Sequence, residues 1–133
     1  MICLSFEAAE ILKRRAESFL KNAERLIEEK EWDLAMFSLE QYCQLIIKYK
    51  LLILRGSYPH THSLRRLIRE LGEINQSILK LIEDITSLHY VARLEEAYIS
   101  SRYLPYAYEE KEVKDIYRFV VEVFRPLVEE ILQ

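Results

Sequence analysis

Three residues near the middle of the chain have side chains that suit the cleavage of RNA. Arg55 is followed by His60 and His62 in the stretch RGSYPHTHS. A histidine can accept the proton of a 2′-hydroxyl group, and a guanidinium group can hold a charged phosphate. The alternative is that Arg55 only complements the C-terminal end of a helix and that both histidines are solvated loop residues. The spacing leaves both interpretations open, because short motifs often arise by chance.

A second set of polar residues precedes Arg55 in the stretch WDLAMFSLEQYCQLIIKYKLLILR. Gln41, Gln44 and Lys48 share with Arg55 an arc of roughly 100° when this stretch is drawn as a helix. Such an arc could form the floor of a cleft, where Lys48 and Arg55 meet an anion and the two glutamines hydrogen-bond a polar ligand. The alternative is an ordinary solvated helix face.

Two further groups of residues could contact a nucleic acid. Arg65, Arg66 and Arg69 follow the histidines on one short helix and could bind a phosphate backbone, although solvated charge is the usual role of such a run. Tyr98 and Tyr103 enclose the stretch YISSRY. Tyrosines at a helix end are typical packing anchors, and stacking on a base is the alternative.

The sequence predicts neither a metal site nor a cofactor. His60 and His62 offer two ligands, and His89 is far away in sequence. A structural zinc site usually takes four ligands, often including cysteine. The chain contains no glycine-rich phosphate loop and no Cys-x-x-Cys motif.

The helix that must position the polar arc is the segment from Trp32 to Arg55. It contains no glycine or proline, with Asp33 predicted as its N-cap and Gly56 as its C-terminal stop. Its apolar residues cover about twice the ~100° stripe of an ordinary surface helix. We therefore expect it to be covered on more than one side, either by its own chain or by a second copy.

The rest of the chain also has helical periodicity, and no segment alternates with the period of a strand. We predict an all-α, antiparallel up-and-down helical bundle of about five helices in a single domain, residues 1–133. Pro126 predicts a kink near Arg125 in the last helix. The predicted helices run from Ser5 to about Glu29, from Trp32 to Arg55, from Leu64 to Leu71, from Asn75 with a bend to about Arg102, and from about Glu109 onward.

Composition excludes some functions and leaves others open. The 133 residues carry a net charge of −3, which excludes a uniformly basic nucleic-acid binder but permits a local basic patch. No run of ~18 apolar residues predicts a membrane span, and the start has no signal-peptide pattern. Cys43 lies on the apolar arc, so we expect a core thiol and a reducing, cytoplasmic setting. Few Asn and Gln beside many Glu, Lys and Arg hint at a thermophile.

Taken together, the motifs resemble those of the HEPN domain family, small helical domains found beside minimal nucleotidyltransferases. The family's second helix reads roughly QAxEKxxK, and here it supplies Gln41, Gln44 and Lys48. The family then has a loop ending in H-[ST]-L and a tyrosine-rich RYP-like stretch. In this chain these are His62, Ser63 and Leu64, followed by Tyr98, Arg102 and Tyr103. Gln44 stands where the family commonly has glutamate, and Leu104 separates Tyr103 from Pro105.

The resemblance implies a homodimeric bundle whose cleft binds a nucleotide or RNA, with a minimal nucleotidyltransferase as a toxin–antitoxin partner. Lys48, Arg55, His60, His62 and Arg102 would line that cleft. A second hypothesis is a metal-independent endoribonuclease, in which His60 or His62 is the general base and Arg55 stabilises the phosphorane. In HEPN ribonucleases, however, the arginine commonly opens a later helix, whereas Arg55 ends the second one. A third hypothesis is a helical interaction module without ligand chemistry.

Overall fold

The computed structural model describes the backbone of residues 2–131 and the side chains of residues 6–131. Every regular element in this part of the chain is helical, as predicted. The helices are α1 (Ile2–Glu28), α2 (Trp32–Arg55), α3 (Leu64–Gly72), a 3₁₀ turn (Gln76–Leu79) continued by α4 (Lys80–Glu83), α5 (Ile85–Tyr103), α6 (Glu110–Phe119), a π-helical segment (Val120–Phe124) and α7 (Arg125–Glu129).

Helix α2 begins and ends at the predicted residues. Gly56 adopts the left-handed conformation, with φ of 84°, and its N–H donates to the carbonyl oxygen of Leu52. Asp33 is not the N-cap, because helix α2 already starts at Trp32. The Asp33 carboxylate instead accepts a hydrogen bond of 2.9 Å from the backbone N–H of Tyr108. Asp33 therefore fixes the loop before α6 against the start of the central helix.

The wide apolar arc of α2 is covered by the chain itself. Helix α1 packs along its full length in an antiparallel hairpin, and α3, α5 and α6 to α7 cover the remaining sides. Met36, Tyr42, Cys43 and Ile47 are fully buried, whereas Leu34 is 49% exposed. The width of the arc therefore does not require a second copy of the protein.

The fourth predicted helix is divided. Asp84 is extended and caps a new helix by accepting from the backbone N–H of Ser87, so α5 starts at Ile85. This start leaves the Ile85 side chain 84% exposed, whereas a helix continuous from Asn75 would place Ile85 on the same face as the buried Ile78. The reason is that a helical period counted through the Asp84 break assigns the wrong face to the residues after it.

The last helix differs from the prediction near Pro126. A π-helical segment, Val120–Phe124, precedes Arg125. It accommodates Pro126, which has no backbone N–H and whose ring crowds the preceding turn. Phe124 in this segment packs edge-on against Tyr42 of α2, with ring centroids 6.5 Å apart. No helix in residues 2–131 is long and apolar enough to cross a membrane.

Candidate functional site

The polar arc of α2 is turned inward and carries a chain of hydrogen bonds along three successive turns. Glu40, Gln44 and Lys48 follow one another at intervals of four residues. The side-chain amide of Gln44 donates to Glu40, and its oxygen accepts from Lys48 Nζ at 3.3 Å. Gln41 Nε2 donates to the other oxygen of Glu40 at 2.8 Å. The two glutamines were predicted to hydrogen-bond a polar ligand, and in the structure both side-chain amides donate to Glu40.

Glu40 is a carboxyl group with no solvent exposure. Burial raises its pKa to about 7, because a carboxylate loses its hydration there. The amides of Gln44 and Gln41 and the positive charges of Arg102 and Lys48 act against this shift. The floor of the site therefore holds a carboxyl group that changes charge near neutral pH.

Helix α5 supplies the second wall of the site through Tyr98 and Arg102. The Arg102 guanidinium lies 4.2 Å from the ring centroid of Tyr98, 4.6 Å from that of Tyr103 and 5.0 Å from that of Phe37 on α2. Its Nε donates to the carbonyl oxygen of Tyr98 at 2.8 Å. These contacts fix the guanidinium between aromatic faces.

His62 joins the site from the loop between α2 and α3. Its ring stacks on Tyr98 with centroids 4.0 Å apart, and its Nε2 lies 3.0 Å from the Tyr98 hydroxyl. Partial burial lowers the pKa of His62, and the positive charges of Lys48 and Arg102 lower it further. The lowered pKa favours the neutral imidazole, which can accept a proton.

The position of His62 follows from the residue after it. Ser63 caps α3 by accepting from the backbone N–H of Arg66 at 3.2 Å, as is usual for a serine before a helix. The Ser63 hydroxyl donates to Glu95 on α5 at 3.1 Å, and Glu95 also accepts from the backbone N–H of Arg65 at 3.1 Å. Glu95 therefore holds the end of the loop against α5, which brings His62 onto Tyr98.

His60 and Tyr58 lie in a second layer around Lys48. The Tyr58 ring centroid is 5.6 Å from Lys48 Nζ, and the His60 ring packs edge-on against Tyr58 at 5.9 Å. His60 is exposed, and its ring contact reaches Lys48 only through Tyr58. We call the site formed by Phe37, Glu40, Gln44, Lys48, His62, Tyr98 and Arg102 the α2–α5 cleft.

Three of the arginines that the sequence analysis considered form ion pairs with glutamates. Arg55 donates to Glu70 on α3 at 2.6 Å and lies 3.9 Å from Glu73. Arg65 pairs with Glu95 at 2.7 Å, and Arg66 pairs with Glu70 at 3.5 Å. Part of the positive charge of α3 is therefore neutralised by these carboxylates.

The charged residues of the cleft are not neutralised in the same way. Within the part of the chain that the structure describes, neither Lys48 nor Arg102 forms an ion pair. Glu40 is the carboxyl group that acts on both of them, and its own burial favours the neutral form. Tyr103 is 68% exposed at the rim, where its hydroxyl accepts from Arg102 at 3.1 Å.

Sequence reasoning missed Glu40 and Phe37 as parts of the site. Glu40 lies on the polar arc, and its spacing of four residues from Gln44 and eight from Lys48 could have identified it. Phe37 interrupts that arc as an apolar residue, and no local signal shows that Arg102 packs on it. Residues 6–131 contain no group of three or more His, Cys, Asp or Glu side chains that could hold a metal ion.

The fold and the site define a small helical-bundle domain with a polar cleft between its central helix and a later helix. The HEPN domain family model matches residues 9–131, nearly the whole chain, and the protein belongs to this family. A comparison with curated protein sequences finds no match.

Proposed function

We propose that the α2–α5 cleft binds the phosphate and base of a nucleotide or of RNA. The observation that carries the proposal is that the charges of Lys48 and Arg102 both act on the buried Glu40 carboxyl group, while His62 stacks on the Tyr98 ring that Arg102 also contacts. Lys48 and Arg102 form no ion pair with a carboxylate in the described part of the chain. Their positive charges are therefore available to attract an anion.

The aromatic side chains of the cleft support a nucleotide rather than a simple anion. Tyr98, Tyr103 and Phe37 surround the Arg102 guanidinium, and Tyr103 is largely exposed. Aromatic rings and the guanidinium plane are the surfaces on which unpaired bases stack. A ligand with a phosphate near Lys48 and a base near Tyr103 would use both features.

The experiment is a fluorescence-anisotropy measurement with a labelled short RNA, combined with ATP competition. Lys48→Met retains most of the side-chain stem and removes the charge, and Arg102→Ala removes the stacked guanidinium. We expect each variant to weaken binding by roughly tenfold, as for the loss of one charged contact to phosphate.

The control for this experiment is Arg118→Ala on α6, where the arginine is exposed and pairs with Asp115 at 3.5 Å. Unchanged binding in the control and weakened binding in both cleft variants would support the proposal. Equal affinity in all four proteins would contradict it.

The second candidate function is a metal-independent endoribonuclease, and the position of His62 on the Tyr98 ring, which Arg102 also contacts, favours it. His62 would take the proton from a 2′-hydroxyl, and the 2′-oxygen would attack phosphorus to form a 2′,3′-cyclic phosphate. The bond from phosphorus to the 5′-oxygen would break, and the 5′-oxygen would take a proton from solvent water. Arg55 is bound by Glu70, so Arg102 is the arginine whose charge acts on His62. RNA cleavage in EDTA that His62→Ala abolishes would support this function, and intact RNA would exclude it.

The partners in the proposal come from the family to which the chain belongs. We propose a homodimer and a minimal nucleotidyltransferase partner in a toxin–antitoxin pair. Light scattering of the pure protein tests the dimer, and co-purification with a nucleotidyltransferase encoded beside it tests the pair. A monomer and a failure to co-purify would contradict the two proposals separately.

A further inference from the structure

One side of helix α1 continues the surface of the α2–α5 cleft. When α1 is drawn as a helix, five residues without negative charge share an arc of ~100°. These residues are Ile11, Arg15, Ser18, Phe19 and Asn22. Four of them, Arg15, Ser18, Phe19 and Asn22, line a surface pocket of about 340 Å³. We call this surface the α1 shelf.

The glutamates of α1 that follow Ala9 lie on the other side of the helix. All four between residues 10 and 28 fall within ~40° of one another on the other side of the helix. These residues are Glu10, Glu17, Glu24 and Glu28. Glu24 accepts from the Tyr117 hydroxyl at 2.6 Å, and Glu17 pairs with Arg125 at 3.3 Å, so this side faces α6 and α7.

Aromatic contacts connect the α1 shelf with the cleft. The Phe19 ring packs edge-on against Phe37 with centroids 6.3 Å apart, and Phe37 lies under the Arg102 guanidinium at 5.0 Å. Asn22 also donates to Ser38 on α2 at 3.1 Å. A ligand that leaves the cleft past Phe37 therefore meets the α1 shelf next.

The charge of the shelf matches a polyanion. Arg15 is exposed and has no ion-pair partner among the carboxylates of residues 6–131. Cations that follow a line, with aromatic rings between them, are the usual features of a groove that binds an unpaired strand. Arg15 and Arg102, separated by Phe19 and Phe37, have this arrangement.

We propose that the ligand of this protein is single-stranded RNA rather than a mononucleotide, and that the α1 shelf holds the nucleotides adjoining the one in the cleft. This inference rests on the proposed nucleotide-binding function of the cleft. It adds Arg15 as a phosphate contact and Phe19 with Asn22 as contacts for a neighbouring base or ribose.

The test compares the affinity of AMP with that of an unstructured octanucleotide RNA in four proteins. Arg15→Ala removes the charge on the shelf, and Lys48→Met removes the charge in the cleft. Arg14→Ala is the matched control, because Arg14 is an exposed arginine on the same helix, turned ~100° away from Arg15. We expect Arg15→Ala to weaken octanucleotide binding by about fivefold to tenfold and to reduce its salt slope by roughly 0.7.

The AMP measurements distinguish the proposal for the α1 shelf from the proposal for the cleft. Arg15→Ala should leave AMP affinity unchanged, whereas Lys48→Met should weaken both ligands. Equal loss of octanucleotide binding in Arg14→Ala and Arg15→Ala, or no loss in either, would overturn the proposed RNA-binding role of the α1 shelf. It would not contradict the proposed role of the cleft. Wild-type protein that binds neither ligand would overturn both proposals. A dimer that Arg15→Ala dissociates would assign the shelf to a second copy and overturn the RNA assignment.

Discussion

The charge of Glu40 depends on pH in the range where most proteins keep their carboxylates ionised. Burial raises its pKa from an ordinary value of 4.5 to about 7. The folded state therefore binds this proton more tightly than the unfolded state. The stability from Glu40 is complete below its ordinary pKa and is lost as the pH rises through about 7.

Replacing Glu40 by glutamine should remove this pH dependence, because an amide of nearly the same shape does not titrate. Between about pH 4.5 and pH 7 the wild type should lose about 3 kcal/mol of stability relative to Glu40→Gln. Urea unfolding at a series of pH values measures the difference. Parallel pH profiles of the two proteins would show that Glu40 does not titrate in this range.

Individual cleft residues differ in how far the sequence could predict them. Lys48 and His62 belong to local motifs, and both contribute to the cleft. Arg55 belongs to the same motif region, but a partner on another helix, Glu70, determines where its guanidinium lies. The role of Glu40 depends on its complete burial, which arises only when the helices pack.

Helix boundaries follow local rules where a capping residue is present. Gly56, Ser63 and Asn75 stop or cap helices as their residue types predict. Asp84 is also a capping residue at the start of α5, but the apolar periodicity alone does not show the break there. Periodicity likewise does not locate the π-helical segment before Pro126.

At the level of elements, Gly72 allows α3 and the following 3₁₀ turn to approach closely. A Cβ atom built on Gly72 would overlap Cγ and Cδ2 of Leu79. Gly72→Ala should therefore lower the free energy of unfolding by about 1–2 kcal/mol, although alanine is the better helix former. Urea unfolding measures the change.

Leu79→Ala provides the control for this close approach. Leu79→Ala removes the three atoms closest to the added methyl group of Gly72→Ala, so the helix propensity of alanine should dominate. Gly72→Ala should then be neutral or stabilising in the Leu79→Ala background. Equal destabilisation in both backgrounds would show that this contact does not limit the substitution.

For the whole molecule, the helical bundle was predictable because the long segments have apolar residues at helical spacing and none alternates with the period of a strand. The wide apolar arc of α2 indicated a covering surface but not its source. The structure shows that α1, α3, α5 and α6 to α7 cover most of it, so the width of the arc is not by itself evidence for a homodimer. The cleft unites residues from α2, the histidine loop and α5, and only the tertiary fold brings these together.

The most direct test of the α2–α5 cleft uses the three histidines of the chain as internal reporters in an NMR titration. His62 stacks on Tyr98 in the cleft, whereas His89 packs against Tyr90 on another part of α5. We predict that adding AMP or the octanucleotide RNA shifts the imidazole signals of His62 most strongly and leaves His89 unchanged. A phosphate bound beside His62 should also raise its pKa. Saturating ligand that leaves the His62 signals and its pKa unchanged would contradict the existence of a nucleotide site in this cleft.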